Sequence, residues 1–440
     1  MKTVLRALGW LLLVSPVLAQ ADAALERDVA RDYDAHLAGL FEHFHRNPEL
    51  SLVEHQTAAR MAEELRAAGF DVTEGVGGTG VVAMLENGDG PLVMMRADMD
   101  GLPVEEKSDL PYASAATQAD PITGDVVPTM HACGHDVHIT SLVGTARQMI
   151  ARSDDWSGTL MLVVQPAEER GLGARAMRED DIWGRFGRPD FVLGFHVGAE
   201  SAAGKVNVLA GPTYAGVDMV DIVVHGVGAH GASPHRGKDP IVLASQIVMA
   251  LQTLVARELS PREPGVVTVG SFHSGTKHNI ISDEARLQLT VRNTNAETRA
   301  TLLDGIRRIA ENMGRVAGLP DELLPEVIVL EERTPPGFND PDLVERLRGA
   351  WRGAFGAEAV VAEPPTGMGG EDFGYFAVDP DIPSVFWRVG GTPAEVIARA
   401  EAGGPPVPSH HSPLFKIEPE ASVTLGVEST VVALLELMAP

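Results

Sequence analysis

"GTLMLVVQPAEE", residues 158–169, decides how this 440-residue chain is read. Leu160 to Val164 form an unbroken apolar run, bounded by Gly158 and Pro166, which suits a strand buried on both faces rather than a half-exposed one. Three further stretches are of the same kind: "GVVAMLE" (80–86), "PLVMMRAD" (91–98) and "DFVLGFHVG" (190–198). The helical "DVHITSLVGTARQMIARS" (136–153) lies among them. Buried strands with intervening helices predict an α/β fold with a mostly parallel central sheet. Ligands of open α/β sheets gather beyond the carboxyl ends of the strands, so Glu168 and Glu169 stand where a site belongs.

Upstream, residues 25–50 and 54–70 carry apolar residues at three- and four-residue spacing, predicting two helices separated near Pro48. From about Val217 the rhythm changes. "VDMVDIVVHG" alternates, "DPIVLASQIVMALQTLVARE" is helical, and "GVVTVGSFHSG" and "ARLQLTVRN" are strands. A long amphipathic helix from Ala296 and the strand "PEVIVLEE" follow. This β-α-β-β-α-β order is the split βαβ, ferredoxin-like arrangement, which makes residues 214–332 an expected inserted α+β domain. The α/β domain then comprises residues 22–213 and 333–440, with "TPPGFNDP" (334–341) as the linker back and a final helix from about Pro419.

The first residues carry Lys2 and Arg6, an apolar run from Ala7 to Val14 and small residues at Ala19 and Ala21. That pattern predicts a signal peptide over 1–21, and hence an exported protein, in a bacterial periplasm or secreted, with no membrane attachment once the signal is removed. No later stretch is expected to approach the roughly 20 apolar residues of a spanning helix. A single cysteine cannot form an internal disulfide, so Cys133 needs another explanation. Lys plus Arg number 35 against 61 Asp plus Glu, a formal charge of -26, which argues against nucleic acid as a partner.

Cys133 lies in "MHACGHDVH" (130–138), among His131, His135 and His138, just before the helical run. A thiolate and neutral imidazoles suit a divalent transition metal, whereas a lone cysteine is otherwise a buried core residue. Adjacent Glu168 and Glu169 can divide their work, one holding a metal and the other taking a proton from an activated water. His196 sits near the end of its own strand. Asp98 and Asp100 end another, either orienting the ligands or capping the strand. "SHHSPLF" adds His410 and His411 in a loop. The surplus of carboxylates and histidines favours a metal-dependent hydrolase over a cysteine nucleophile.

"RADMDGLPVEE", "MHACGHDVH", "QPAEE", "GFHVG", "GVGAHGASPHRGKDP", "GGEDF" and "HHSPLF" occur in this order. In them the chain resembles the metal-dependent amidohydrolases that include hippurate hydrolases, N-acyl-amino-acid amidohydrolases and plant auxin-conjugate hydrolases, within the aminoacylase and carboxypeptidase clan. The resemblance covers about residue 30 to the C-terminus. It implies a zinc-peptidase-like catalytic domain carrying a ferredoxin-like dimerisation domain, and so a homodimer or higher homo-oligomer. It also implies two divalent metal ions per chain, Zn2+, Mn2+, Co2+ or Ni2+, bridged by Cys133 and completed by His135, Glu169, His196 and His411. Glu168 would be the general base, and His230 would reach a partner's active site to steady the oxyanion. Asn279 and Arg292 would approach the substrate, an N-acyl amino acid or peptide-like molecule, and Gly370, Glu371 and Asp372 would shape the pocket rim. Within the clan the alternative is a dipeptidase or carboxypeptidase; outside it, a binding protein without turnover. Two departures stand out. Ser282 replaces a proline that would stiffen the turn after Asn279, and the doublet His410-His411 offers two candidates for one ligand, of which His411 precedes the "SP".

Overall fold

The computed structural model describes residues 16–378 and 381–440. Residues 1–15 of the expected signal segment lie outside them, and the helix Pro16–Asp32 runs through the expected cleavage positions. The helices Ala38–Arg46 and His55–Ala68 follow. Val29, Leu37, Leu40 and Phe44 recur at helical spacing and are buried in the main core. His55–Ala68 ends at Gly69, whose φ of 105° lets its N–H turn back to Arg66 O and Leu65 O.

In chain order the principal strands are β1 (Asp71–Val76), β2 (Gly80–Asn87), β3 (Leu92–Asp98), β4 (Gly158–Gln165), β5 (Phe191–Ala202), β6 (Val206–Asn207), β7 (Gly216–His225), β8 (Gly265–Ser274), β9 (Glu284–Asn293), β10 (Glu326–Thr334), β11 (Val360–Val361) and β12 (Ser384–Thr392). The central sheet has eight strands in the order β1-β2-β4-β3-β5-β12-β6-β11. Its middle, β4, β3, β5 and β12, is parallel, and β1 and β2 extend it antiparallel. The near-continuous apolar runs are explained by burial on both faces. Leu160, Leu162 and Val164 enter one core, whereas Met161 and Val163 enter the other. At roughly 1.5–3 kcal/mol per buried aliphatic side chain, such strands gain stability from both faces.

Strands β7 to β10 form a separate antiparallel sheet in the order β8-β9-β7-β10. Here alternation is clear. Ala285, Leu287, Leu289 and Val291 of β9 are buried against helices Pro240–Thr253 and Ala296–Val316, while Glu284, Arg286 and Gln288 point away. Asp239 and Asn295 cap those helices, the Asn295 side chain accepting from Thr298 N at 2.8 Å. The chain enters and leaves this region through Gly211–Pro212 and Phe338–Asn339, which pair with each other antiparallel.

One expectation is corrected here. Pro240–Glu258 is long and apolar enough, by length and composition, to cross a membrane. Its apolarity has two sources: Leu243, Ile247, Leu251 and Leu254 pack on the sheet, while Val242 and Met249 are exposed. Counting only one apolar stripe misses the second.

Candidate metal centre

The site lies at the carboxyl ends of β3, β4 and β5. Asp98 ends β3, and Asp100 follows it. Asp100 Oδ1 lies 3.2 Å from His135 Nδ1, and its Oδ2 accepts from Ser51 Oγ at 2.6 Å and Glu169 N at 3.0 Å. One carboxylate therefore orients a histidine and anchors the segment carrying Glu169. Cys133 is held just ahead of helix His135–Ala151 by Gly134, whose φ is 86° and where a Cβ would collide with Val197 Cγ1. Cys133 Sγ lies 3.4 Å from His196 Nε2.

Two residues here carry positive φ without being glycine. Ala167 (φ 48°) turns the chain after β4 so that Glu168 and Glu169 project into the site. Its N–H donates to the buried Glu54 Oε1 at 2.8 Å. His411 (φ 66°) is the other; its backbone N–H donates to Ala132 O at 2.8 Å, and its Nε2 lies 3.3 Å from Glu169 Oε2. Backbone strain of this kind, held in place by surrounding bonds, is typical of functional positions.

The ligand atoms of Cys133, His135 and His196 lie within 4.8 Å of one another, and so do those of Cys133, Glu169 and His411. The two groups share the thiol. His135 Nε2 and Glu169 Oε1 are buried without a hydrogen-bond partner, and both belong to these groups. Orphaned buried polar atoms are costly. Sulfur, imidazole and carboxylate donors arranged this way fit a pair of divalent transition ions.

The electrostatics are those of a crowded acid cluster. Burial, then Glu169, Glu168 and Asp98, pushes the Cys133 thiol up, and burial, then Glu371 and Glu169, raises the Glu168 carboxyl. Glu169 is lifted to about 8, mainly by burial against the pull of His135. Burial also disfavours a charged His135, but Asp98 and Asp100 outweigh it and carry it to about 10. Burial keeps His196 neutral, aided by His138 and His410, as a ligand requires. A site so rich in acids wants positive charge.

The histidine doublet is separated by geometry. His410 Nε2 lies 2.9 Å from Val197 O, committed to the backbone, while His411 faces Glu169. His138 is committed too, with Nδ1 2.5 Å from Asp98 Oδ1 and Nε2 accepting from Val197 N.

The sequence reading missed Arg96. This residue is fully buried and binds Asp98 at 2.7 Å, Glu371 at 2.8 Å and Asp372 at 3.4 Å. Its signal was a charge inside the apolar run "LVMMRAD". The "GGEDF" loop is accordingly corrected: Glu371 lines the cavity, but Asp372 is buried beneath it, accepting from Gln165 Nε2 at 2.6 Å.

A cavity of about 660 Å³ opens over these groups, lined by Glu168, Glu169, His196, His411 and Arg388 from one side and Arg292 of β9 from the other. His230 and Asn279 do not line it. They sit together at a short antiparallel pair, Ala229–His230 with Ile280–Ile281, Asn279 just preceding the second strand, and Gly231 N donates to Asn279 O. The turn after Asn279 is tied without a proline: Ser282 Oγ lies 2.9 Å from Ser274 Oγ.

Comparisons with known proteins agree with this geometry. Residues 94–402 match the model of Peptidase family M20/M25/M40. The chain is 37% identical over 336 residues to Thermostable carboxypeptidase 2 of Saccharolobus solfataricus, covering 76% of this chain and 80% of that one. It is 35% identical over 345 residues to Hippurate hydrolase of Campylobacter jejuni, covering 77% and 85%. Among solved structures it is similar to the Bacillus subtilis YXEP protein, described as a dinuclear metal binding peptidase from the M20 family. That likeness has a TM-score of 0.74 at 28% identity and covers 93% of this chain and 99% of that one.

Proposed function

The chain belongs to peptidase family M20/M25/M40 and is a hydrolase, and from that premise we propose that it cleaves the amide bond of N-acyl amino acids or close conjugates. The observation that carries this reading is the pair of ligand groups sharing Cys133, with Glu168 beside them in the cavity. Cys133 would be shared between two divalent ions, which His135 and His196 on one side and Glu169 and His411 on the other would hold. Bound there, the ions supply Lewis acidity to the scissile carbonyl and lower the pKa of water. Glu168 takes the proton of the attacking water on its carboxylate and passes it to the leaving nitrogen. Arg292 pairs with the carboxylate of the amino acid.

His230 donates to the developing oxyanion from a second copy of the chain, with Asn279 beside it. Residues 22–213 and 333–440 are the catalytic domain in this reading, and 214–332 the inserted domain that joins the copies. Support comes from the position of His230 outside its own chain's cavity and from exposed apolar residues of the same region, Met249 at 71% and Val242 at 54%. The leader over 1–21 exports the protein.

A second reading, a carboxypeptidase, is favoured by the 37% identity with Thermostable carboxypeptidase 2. Elemental analysis run beside hydrolysis of N-acyl amino acids and free dipeptides, before and after chelation, tests both. About two divalent ions per chain, with acylated substrates cleaved and activity lost to the chelator, is the expected outcome. Cleavage of free dipeptides alone would establish the carboxypeptidase reading. Activity that survives removal of all metal would overturn the site.

A further inference from the structure

Guanidinium groups inside this chain are usually neutralised. Arg96 has Asp98 and Glu371, Arg170 has Asp120 at 3.1 Å, and Arg299 has Asp218 at 2.6 Å. Two partly buried ones on the cavity wall are not. Neither Arg292 nor Arg388 has a carboxylate within ion-pair distance among the described residues. A partly buried cation without a counter-charge is costly, so both positions point to a ligand that supplies it.

The two lie on different walls. Arg292 belongs to the four-stranded sheet, with Nη1 beside Gly370. Arg388 belongs to β12, in parallel register with His196 of β5, so its side chain rises from the strand next to a metal-ligand candidate. Its guanidinium carbon lies 5.3 Å from the ring centre of Tyr214, whose side chain also hydrogen-bonds it and is its foremost electrostatic partner; a phenol fixes its direction but supplies no carboxylate. The acid whose field reaches it is Glu200, an exposed residue engaged by Thr366 Oγ1 at 3.4 Å.

We propose that Arg388 is a specificity-determining residue that binds a second carboxylate of the substrate, so that the preferred substrates are dianions. The inference rests on the amidohydrolase reading, in which Arg292 takes the first carboxylate. The second belongs either to an acidic amino-acid side chain or to a dicarboxylic acyl group. Both present the same planar anion to a guanidinium fork.

Two isosteric pairs separate these sources: N-acetylglutamate against N-acetylglutamine, and N-succinylalanine against N-butanoylalanine. The metal-loaded full chain should favour the acid of one pair by roughly 100-fold in kcat/KM, as expected where a site is built to pair a charged group. The pair that shows the preference identifies the source. Arg388→Leu should bring that preference within about 3-fold, and Arg388→Lys should restore part of it. Equal treatment of acid and isostere by the unmodified protein would overturn the proposal, as would a preference that survives Arg388→Leu. An equal fall for all four substrates would make Arg388 a support of the cavity wall, also overturning it. If none is hydrolysed, the amidohydrolase reading fails, and calorimetric titration of the same compounds decides Arg388 separately. Tighter binding of an acid, lost in Arg388→Leu, would uphold it, and no difference would refute it.

Discussion

The two sheets handle charge differently. At the end of the central sheet, ionisable side chains are buried and locked to one another: Arg96 spans Asp98, Glu371 and Asp372, and Asp100 holds His135. In the four-stranded sheet the buried acids Asp218 and Asp221 of β7 are met by the more exposed Arg299 and Arg286, Glu284 stands at the surface, and Arg292 lines the cavity without a carboxylate partner among the described residues. The first arrangement is pre-organised for chemistry, since every group is oriented before a substrate arrives. The second leaves groups for other molecules to engage.

The largest effect should follow from removing the proposed proton carrier. Glu168→Gln is expected to lower kcat roughly 10³-fold or more with little change in KM and unchanged metal content. Near-normal turnover would break the assignment of chemistry to the central sheet.

Next come the ion pairs of the two regions. Arg96→Met strands three buried carboxylates and should cost about 4 kcal/mol in chemical denaturation. Arg299→Leu removes a two-pronged contact to Asp218 from a half-exposed Arg and should cost about 2 kcal/mol or less. Equal losses would erase the contrast.

A smaller effect depends on pH. His45 Nδ1 lies 2.6 Å from Asp136 and Nε2 3.1 Å from Glu106, so both ring nitrogens face carboxylates. Burial disfavours the charged ring, yet these partners outweigh it and lift His45 to about 9. A raised histidine stabilises fully below its unfolded value near 6.5, and that contribution is lost as pH rises through about 9. The native protein should therefore lose up to about 3 kcal/mol relative to His45→Gln between those limits. A parallel pH dependence in both proteins would refute the imidazolium.

The smallest expected change is in metal affinity. Asp100→Asn should weaken binding roughly 10- to 100-fold by loosening His135, without unfolding the chain. No change would demote Asp100 to a strand-end cap.

Much of this contrast was legible in the residues. A change of rhythm to the alternating "VDMVDIVVHG" set β7 and the strands after it apart from the unbroken apolar runs that marked β3 and β4 as two-sided, because burial acts on each position locally. Adjacent Glu168 and Glu169 after a strand, and Cys133 before a helix, pointed to the centre for the same reason. Arg96 was not legible as a hub, since Glu371 lies 275 residues away and nothing local reports that meeting.

By itself the sequence determined the element types, the sheet-end location of the acids and the ligand chemistry, all properties of side chains and short-range spacing. Only the tertiary structure decided which of His410 and His411 faces Glu169, that Asp372 lies beneath the cavity, and that Arg292 and Arg388 enter it without a carboxylate partner among the described residues. Those outcomes depend on how remote loops pack against one another, and hydrogen bonds to particular atoms then select among residues of equal chemical competence.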